Sequence, residues 1–307
     1  MVEVIKKKMT IKKFNLFIRA SRPFSLTASV IPVVLGGILA LKETNFNIEY
    51  FILSIIAIVF LQASVNLLND HDDFINKVDT KESHSSSGVV VEGLLTLKEV
   101  YRSGITLLIL GCLIGLLLAY NVGFMILILG IVGALCGYFY TGKPLMLKYR
   151  GLGAPLVFII FGPLMTLGGY YLQMEKFTLQ SFLISVPTAL LTTAILHAND
   201  IRDIKHDKKA GIKTLSIIIG YKNAQLVYSS LIILSYISLV IMIFLKYIPY
   251  LSLICLLTVP AAIKNINKLR IGENSCEHIA ELDKESGKLQ GQFGILLILS
   301  ILLSYIL

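Results

Sequence analysis

Nine runs of apolar residues, each about 17 to 24 long, fill most of this chain and dictate what it can become. They cover roughly residues 25–41, 50–68, 104–120, 122–140, 152–172, 179–197, 224–245, 248–263 and 292–307. A soluble domain of 307 residues could not bury so much apolar surface, with 55% hydrophobic residues, 15% charged and a mean hydropathy of +0.78. Within lipid a backbone must satisfy its own hydrogen bonds, so runs of this length read as helices. The expectation is an all-α membrane protein of nine transmembrane helices forming one domain over 1–307.

The basic residues test that count. If the N-terminal segment is cytoplasmic, all of the 28 Lys and Arg except Lys42, Lys176 and Lys246 fall on the cytoplasmic side. That asymmetry is the positive-inside pattern, and a wrong span count would have scattered it. The net charge of +9 is then a property of the inner membrane surface. Nucleic-acid binding is excluded as a first reading, because no compact basic domain exists to carry it. Residues 1–22 lack a signal-peptide design. They are basic with apolar positions at Ile11, Phe14, Leu16, Phe17 and Ile18, which fits a helix lying on the inner leaflet. Cys112, Cys136, Cys255 and Cys276 show no metal-ligand spacing and read as small packing residues.

Chemistry gathers at two similar stretches. Asn66-Leu-Leu-Asn69-Asp70-His-Asp-Asp73 follows the second apolar run, and Asn199-Asp200-Ile-Arg-Asp203 with Asp207 follows the sixth. On a helix Asn66, Asn69, Asp70 and Asp73 share one face, and Asn199 (or Asp200), Asp203 and Asp207 form the same stripe. Carboxylates so crowded repel one another unless a cation sits among them. Two such stripes suit a pair of hard divalent cations holding a phosphorylated ligand. Four spans separate them, which puts both on one membrane face. The chain therefore reads as a weak repeat of two four-helix units, about 20–140 and 150–263, plus a ninth helix.

The cations near these acids are Arg22, Lys143, Arg202, Lys205, Lys208, Lys209 and Lys213. Singly each suits a topology determinant; as a group they suit a diphosphate. His71, His84, His197 and His206 read as solvated loop residues, the 75–100 segment as a long polar loop, and 276–288 as a solvated helical connector.

At these residues the chain resembles the UbiA superfamily of intramembrane prenyltransferases, nearly end to end. The matching stretches are Ala20-Ser-Arg-Pro23, the first acidic motif through Phe74 with Asp79-Thr80, Gly93-Leu94, Tyr140-Thr-Gly142 with Pro144, and Phe161-Gly-Pro163 with Gly168. They continue through Arg202-Asp-Ile204 with Asp207, Lys209-Ala-Gly211 with Lys213-Thr-Leu215, and Lys288-Leu with Phe293-Gly294. The likeness is greatest to the branch that prenylates 1,4-dihydroxy-2-naphthoate in menaquinone synthesis. Departures stand at Lys77, Ser83, Gly88 and Ala154, where relatives carry acidic or arginine residues. The resemblance implies a bundle around a lipid-open cavity with a cytoplasmic cap. It implies Mg²⁺ as cofactor, a polyprenyl diphosphate donor, an aromatic lipid-precursor acceptor and surrounding membrane lipids. Asn69, Asp73, Asp203 and Asp207 would form the core metal or diphosphate set, with Asp70, Asp79 and Asp200 supporting. Arg22, Lys143, Arg202, Lys209 and Lys213 would grip phosphate, and Tyr140 would line the allylic site. Other acceptors, 4-hydroxybenzoate or a glycerol-phosphate lipid, fit the same chemistry. A cation-coupled transporter is the non-enzyme alternative, although its charges would belong at the bilayer midplane.

Overall fold

A computed structural model of the chain describes residues 13–42, 46–79, 87–271 and 276–307. Among these residues the protein is helical, with one isolated bridge between Arg150 and Lys213 and no strand. We label the apolar helices α1 (Pro23–Ala40), α2 (Ile48–Ile75), α3 (Leu97–Val122), α4 (Phe124–Phe139), α5 (Gly153–Met174), α6 (Leu179–Arg202), α7 (Tyr221–Phe244), α8 (Tyr250–Arg270) and α9 (Leu282–Ile306). Eight are long and apolar enough to cross a membrane by length and composition, while α4 has 16 residues.

Local chemistry sets the ends. Pro23 starts α1 where a missing N–H costs nothing. Asn47 caps α2 by accepting from the Tyr50 N–H at 3.0 Å. α3 begins before its apolar run because Thr96 and Glu99 form a reciprocal capping box. The polar segment ahead of it is correspondingly shorter than expected. α9 likewise begins at Leu282, with Asp283 and Glu285 in the first turn where acids complement the helix dipole. The second half of the expected solvated connector is therefore the start of α9, with Leu282, Ser286 and Gly287 buried and Lys284 and Lys288 exposed. Within α5 a π-helical turn at Ile160–Leu164 takes up Pro163, which has no N–H to give the regular ladder.

Lipid tails are as apolar as leucine, so helices here associate by close packing and hydrogen bonds. A Cβ on Gly36 would lie 2.1 Å from the Thr166 carbonyl oxygen, and one on Gly169 would lie 2.4 Å from that of Val33. The backbones of α1 and α5 therefore touch. Ser64 on α2 donates to the Gly104 carbonyl of α3 at 2.7 Å. The largest apolar core joins α1, α6, α7 and α9 around Leu35, Leu191, Tyr228 and Phe293. His197 sits in that region fully buried, 3.0 Å from the Ala224 carbonyl, rather than in solvent as expected.

Ahead of α1, residues 13–20 form a helix that exposes Phe14 and Ile18 and packs Leu16 and Phe17 beside Leu67, Val89 and Val90. The rest of the basic stretch, 1–12, lies outside the described residues, as do Thr80 and His84.

Candidate active site

The first acidic motif is built by α2 continuing as helix beyond its apolar part, so Asn66, Asn69, Asp70 and Asp73 do share a face. Asn66 donates to the Ser21 carbonyl at 2.7 Å and to Ser25 Oγ at 2.9 Å, pinning the motif to the mouth of α1. Asp70, 2% exposed, pairs with Arg22 and accepts from the Ser87 hydroxyl and, at 3.4 Å, its N–H. Arg22 takes up a left-handed backbone (φ 50°) just before Pro23, a conformation costing a non-glycine residue about 1–3 kcal/mol. Asn69 accepts from Thr141 Oγ1 at 2.8 Å. Asp79 is buried nearby, its N–H donating to the Asp73 carbonyl at 3.1 Å.

Asp73 takes its partners from the loop after α4. Lys148 Nζ lies 2.8 Å from Asp73 Oδ2, and the Tyr149 hydroxyl donates to Oδ1. Burial pulls Lys148 down, but the charge and hydrogen bond of Asp73, with Tyr149 and Tyr140 beside it, together hold the ammonium well above the usual lysine range. Burial pushes the Tyr149 hydroxyl up, and the Asp73 charge adds to the rise. Neither residue figured among the expected site residues. Lys143, which did, is exposed on the outer side of that loop.

The second motif keeps its stripe across a helix end. α6 stops at Arg202, and a short helix follows at Ile204–Lys209. Backbone bonds from Asp203 to Asn199 (3.0 Å) and from Asp207 to Asp203 (2.9 Å) carry the register through. Asp200, Asp203 and Asp207 are each about 5% exposed or less. Burial pushes the Asp207 carboxyl up to about 7, Lys148 opposing and Asp203 and Asp73 adding to the rise. The two motifs converge, since Asn69 and Asp73 of the first and Asn199 of the second line one cavity.

Arg202 is turned onto its own motif and onto the start of α9. Its Nε and Nη2 bind the two Asp203 oxygens at 3.0 and 2.8 Å, Nη2 also reaches Asn199, and Nη1 meets Asp283 at 2.7 Å. Lys209 and Lys213 are exposed. The Lys213 N–H donates to the Tyr149 carbonyl at 3.1 Å, which stitches the loops following α4 and α6 together.

Between the motifs and the helices lies a cavity of about 330 Å³. Arg22, Asn69, Asp73, Tyr140, Lys148, Asn199 and Asp283 line its polar end; Val33, Leu61, Leu129, Gly133, Phe161 and Leu164 are among its apolar walls. Among the described residues no three Asp, Glu, His or Cys side chains already stand as a cation-binding group.

Comparison with known proteins then places the chain. Residues 29–275 match the model of the UbiA prenyltransferase family. The chain belongs to the UbiA prenyltransferase family. It is accordingly a membrane-integral prenyltransferase. It is 30% identical over 93% of its length, and 91% of the relative's, to a Bacillus subtilis (strain 168) protein named 1,4-dihydroxy-2-naphthoate octaprenyltransferase. It is also 31% identical, over 94% of its length and 83% of the relative's, to the human UbiA prenyltransferase domain-containing protein 1. The fold matches an apo UbiA homologue from Aeropyrum pernix K1 at TM-score 0.69 and 17% identity, over 92% of this chain and 98% of that one. A UbiA homologue from Archaeoglobus fulgidus, bound to DMAPP and Mg²⁺, matches at TM-score 0.61 and 16% identity over 92% and 98%.

Proposed function

We propose that this protein transfers an isoprenyl group from a polyprenyl diphosphate to an aromatic acceptor, 1,4-dihydroxy-2-naphthoate, in a Mg²⁺-dependent reaction of menaquinone synthesis. The observation that carries the reading is that both acidic motifs reach the polar end of one apolar cavity, the first through Asn69 and Asp73 and the second through Asn199. α4 is read as a ninth crossing, the two four-helix units as a pseudo-repeat, and the joined loops as a cap. The Lys and Arg asymmetry supports a cytoplasmic N-terminus and a cytoplasmic site.

The donor set fits a hard divalent cation. It is all oxygen, from Asn69, Asp73, Asp200, Asp203 and Asp207. Asp70, Asp73 and Asp203 each have an Arg or Lys partner, whereas Asp200 and Asp207 are buried with no Lys or Arg at ion-pair distance among the described residues. Two such carboxylates are what a divalent cation would neutralise. When bound, it supplies charge neutralisation that makes diphosphate a better leaving group.

The protein's own groups account for the remainder. Arg22 and Lys148 hold positive charge at the polar end of the cavity, where the diphosphate would lie. The apolar walls take the prenyl tail and exclude water, so the allylic cation left as the C–O bond breaks meets the acceptor ring. The Tyr140 ring, on the cavity surface, offers an aromatic face to that cation. A carbon of the electron-rich ring attacks, and loss of its proton restores aromaticity.

The test is release of diphosphate from geranylgeranyl diphosphate by purified protein, with and without Mg²⁺ and 1,4-dihydroxy-2-naphthoate, beside Asp73→Ala and Asp203→Ala. Turnover needing both additions and lost in both variants is expected. Turnover with a different acceptor alone would keep the reaction and discard the menaquinone assignment. Failure to bind or turn over any donor would sink the transferase and favour a transporter.

A further inference from the structure

We infer that Asp283, in the first turn of α9, is a positioning residue that acts through Arg202 to keep the second acidic motif open to a divalent cation. The inference rests on the transferase reading for its consequence in catalysis, but its structural basis is independent. The Asp283 carboxylate is 2.7 Å from Arg202 Nη1, and the side chains are 14% and 3% exposed. The opposite edge of the same guanidinium holds Asp203 through two bonds. One rigid fork is thus gripped by a carboxylate at each end, which defines its plane. Asn199 and, at 3.5 Å, the Ala280 carbonyl complete its partners.

Charge arithmetic gives this arrangement a direction. Two carboxylates share one positive charge, so Asp203 keeps negative charge to offer a cation. Without Asp283, Arg202 would neutralise Asp203 fully and weaken its pull on Mg²⁺. Asp283 also lines the cavity, as Asn199 does, so the beginning of α9 forms part of the site's wall. Gly287, one turn on, lies against Phe24 and Ile195, where any Cβ would meet those residues at 3.6–4.0 Å.

The experiment measures Mg²⁺ binding to the detergent-solubilised full chain, by thermal stabilisation with inorganic diphosphate present, and diphosphate release in parallel. Asp283→Asn, which keeps shape and removes charge, should raise the half-saturating Mg²⁺ concentration about tenfold, the coupling expected within one network. Asp283→Glu should recover most of the loss. In an Arg202→Gln background, adding Asp283→Asn should change nothing further, because the partner it acts through has gone. Removing both members also avoids a lone buried charge, so this comparison survives if the single variant folds badly. Unchanged Mg²⁺ binding in folded Asp283→Asn, additive losses in the double variant, or no Mg²⁺ binding by the wild type would overturn the inference. Normal Mg²⁺ binding that shifts as stated, without turnover, would keep it and reject the transferase assignment instead.

Discussion

Lys148 Nζ stands 2.8 Å from Asp73 Oδ2, a contact between two buried side chains 75 residues apart that joins the loop after α4 to the first acidic motif. Removing one partner of a buried ion pair strands the other, at a cost of about 3–5 kcal/mol. Lys148→Met should therefore lower the melting temperature in detergent and abolish turnover. Lys148→Met/Asp73→Asn, which leaves no stranded charge, should regain much of the stability and none of the activity. A single variant melting like the wild type would mean that the contact contributes little.

Asp207 gives the site a pH dependence whose direction can be worked out. Burial and the neighbouring carboxylates raise its carboxyl from 3.8 to about 7 in the folded chain. Between those values the folded protein holds a proton that the unfolded chain has already lost. This group's contribution to stability is thus greatest at low pH and falls as pH rises through about 7. A divalent cation must displace that proton, so Mg²⁺ affinity should rise with pH, by at most about tenfold per unit, and level off above 7. Titrating thermal stabilisation by Mg²⁺ at several pH values measures the slope. Asp207→Asn should flatten it.

How far the sequence was readable depended on whether its signals were local. Apolar length marked the long helices, and the i, i+3, i+4, i+7 spacing marked the Asn66–Asp73 face, because each is a property of a single helix. Helix starts were missed where polar residues precede an apolar run. Thr96 and Glu99 did carry a readable capping signal, whereas Asp283 looked like any surface acid. The loop after α4 offers Lys143 and Lys148, and nothing in their spacing tells them apart. Only the fold shows Lys148 turned inward onto Asp73 and Lys143 outward. The contacts of Arg202 are unreadable for the same reason, since its outer partner, Asp283, is 81 residues away along the chain.

The α1–α5 seam should tolerate no side chain. A methyl on Gly36 would lie 2.1 Å from a backbone oxygen of α5, which cannot rotate aside as a side chain could. Gly36→Ala must push the helices apart, at about 1–3 kcal/mol for overpacking. Gly93, where an added Cβ would meet nothing within 4 Å but φ is +70°, would test backbone strain instead. Gly36→Ala should show a lowered melting temperature with turnover near normal at temperatures where it remains folded.

Gly133 makes the reach of the cavity testable. It lies on α4 and lines the apolar part of the cavity, where a Cβ would meet only Leu164, at 3.6 Å. A large side chain there has room to enter and fill space that a prenyl tail would occupy. Gly133→Phe should therefore discriminate by donor length and leave the Asp73 and Lys148 end undisturbed. Dimethylallyl diphosphate should turn over almost as in the wild type, and geranylgeranyl diphosphate should lose about tenfold or more in kcat/KM, equivalent to about 1.4 kcal/mol of lost binding in the transition state. The comparison is internal to one variant, so a general loss of folding would lower both donors together. Equal losses for the two would mean that the tail takes another path out of the site, between helices that Gly133 does not face.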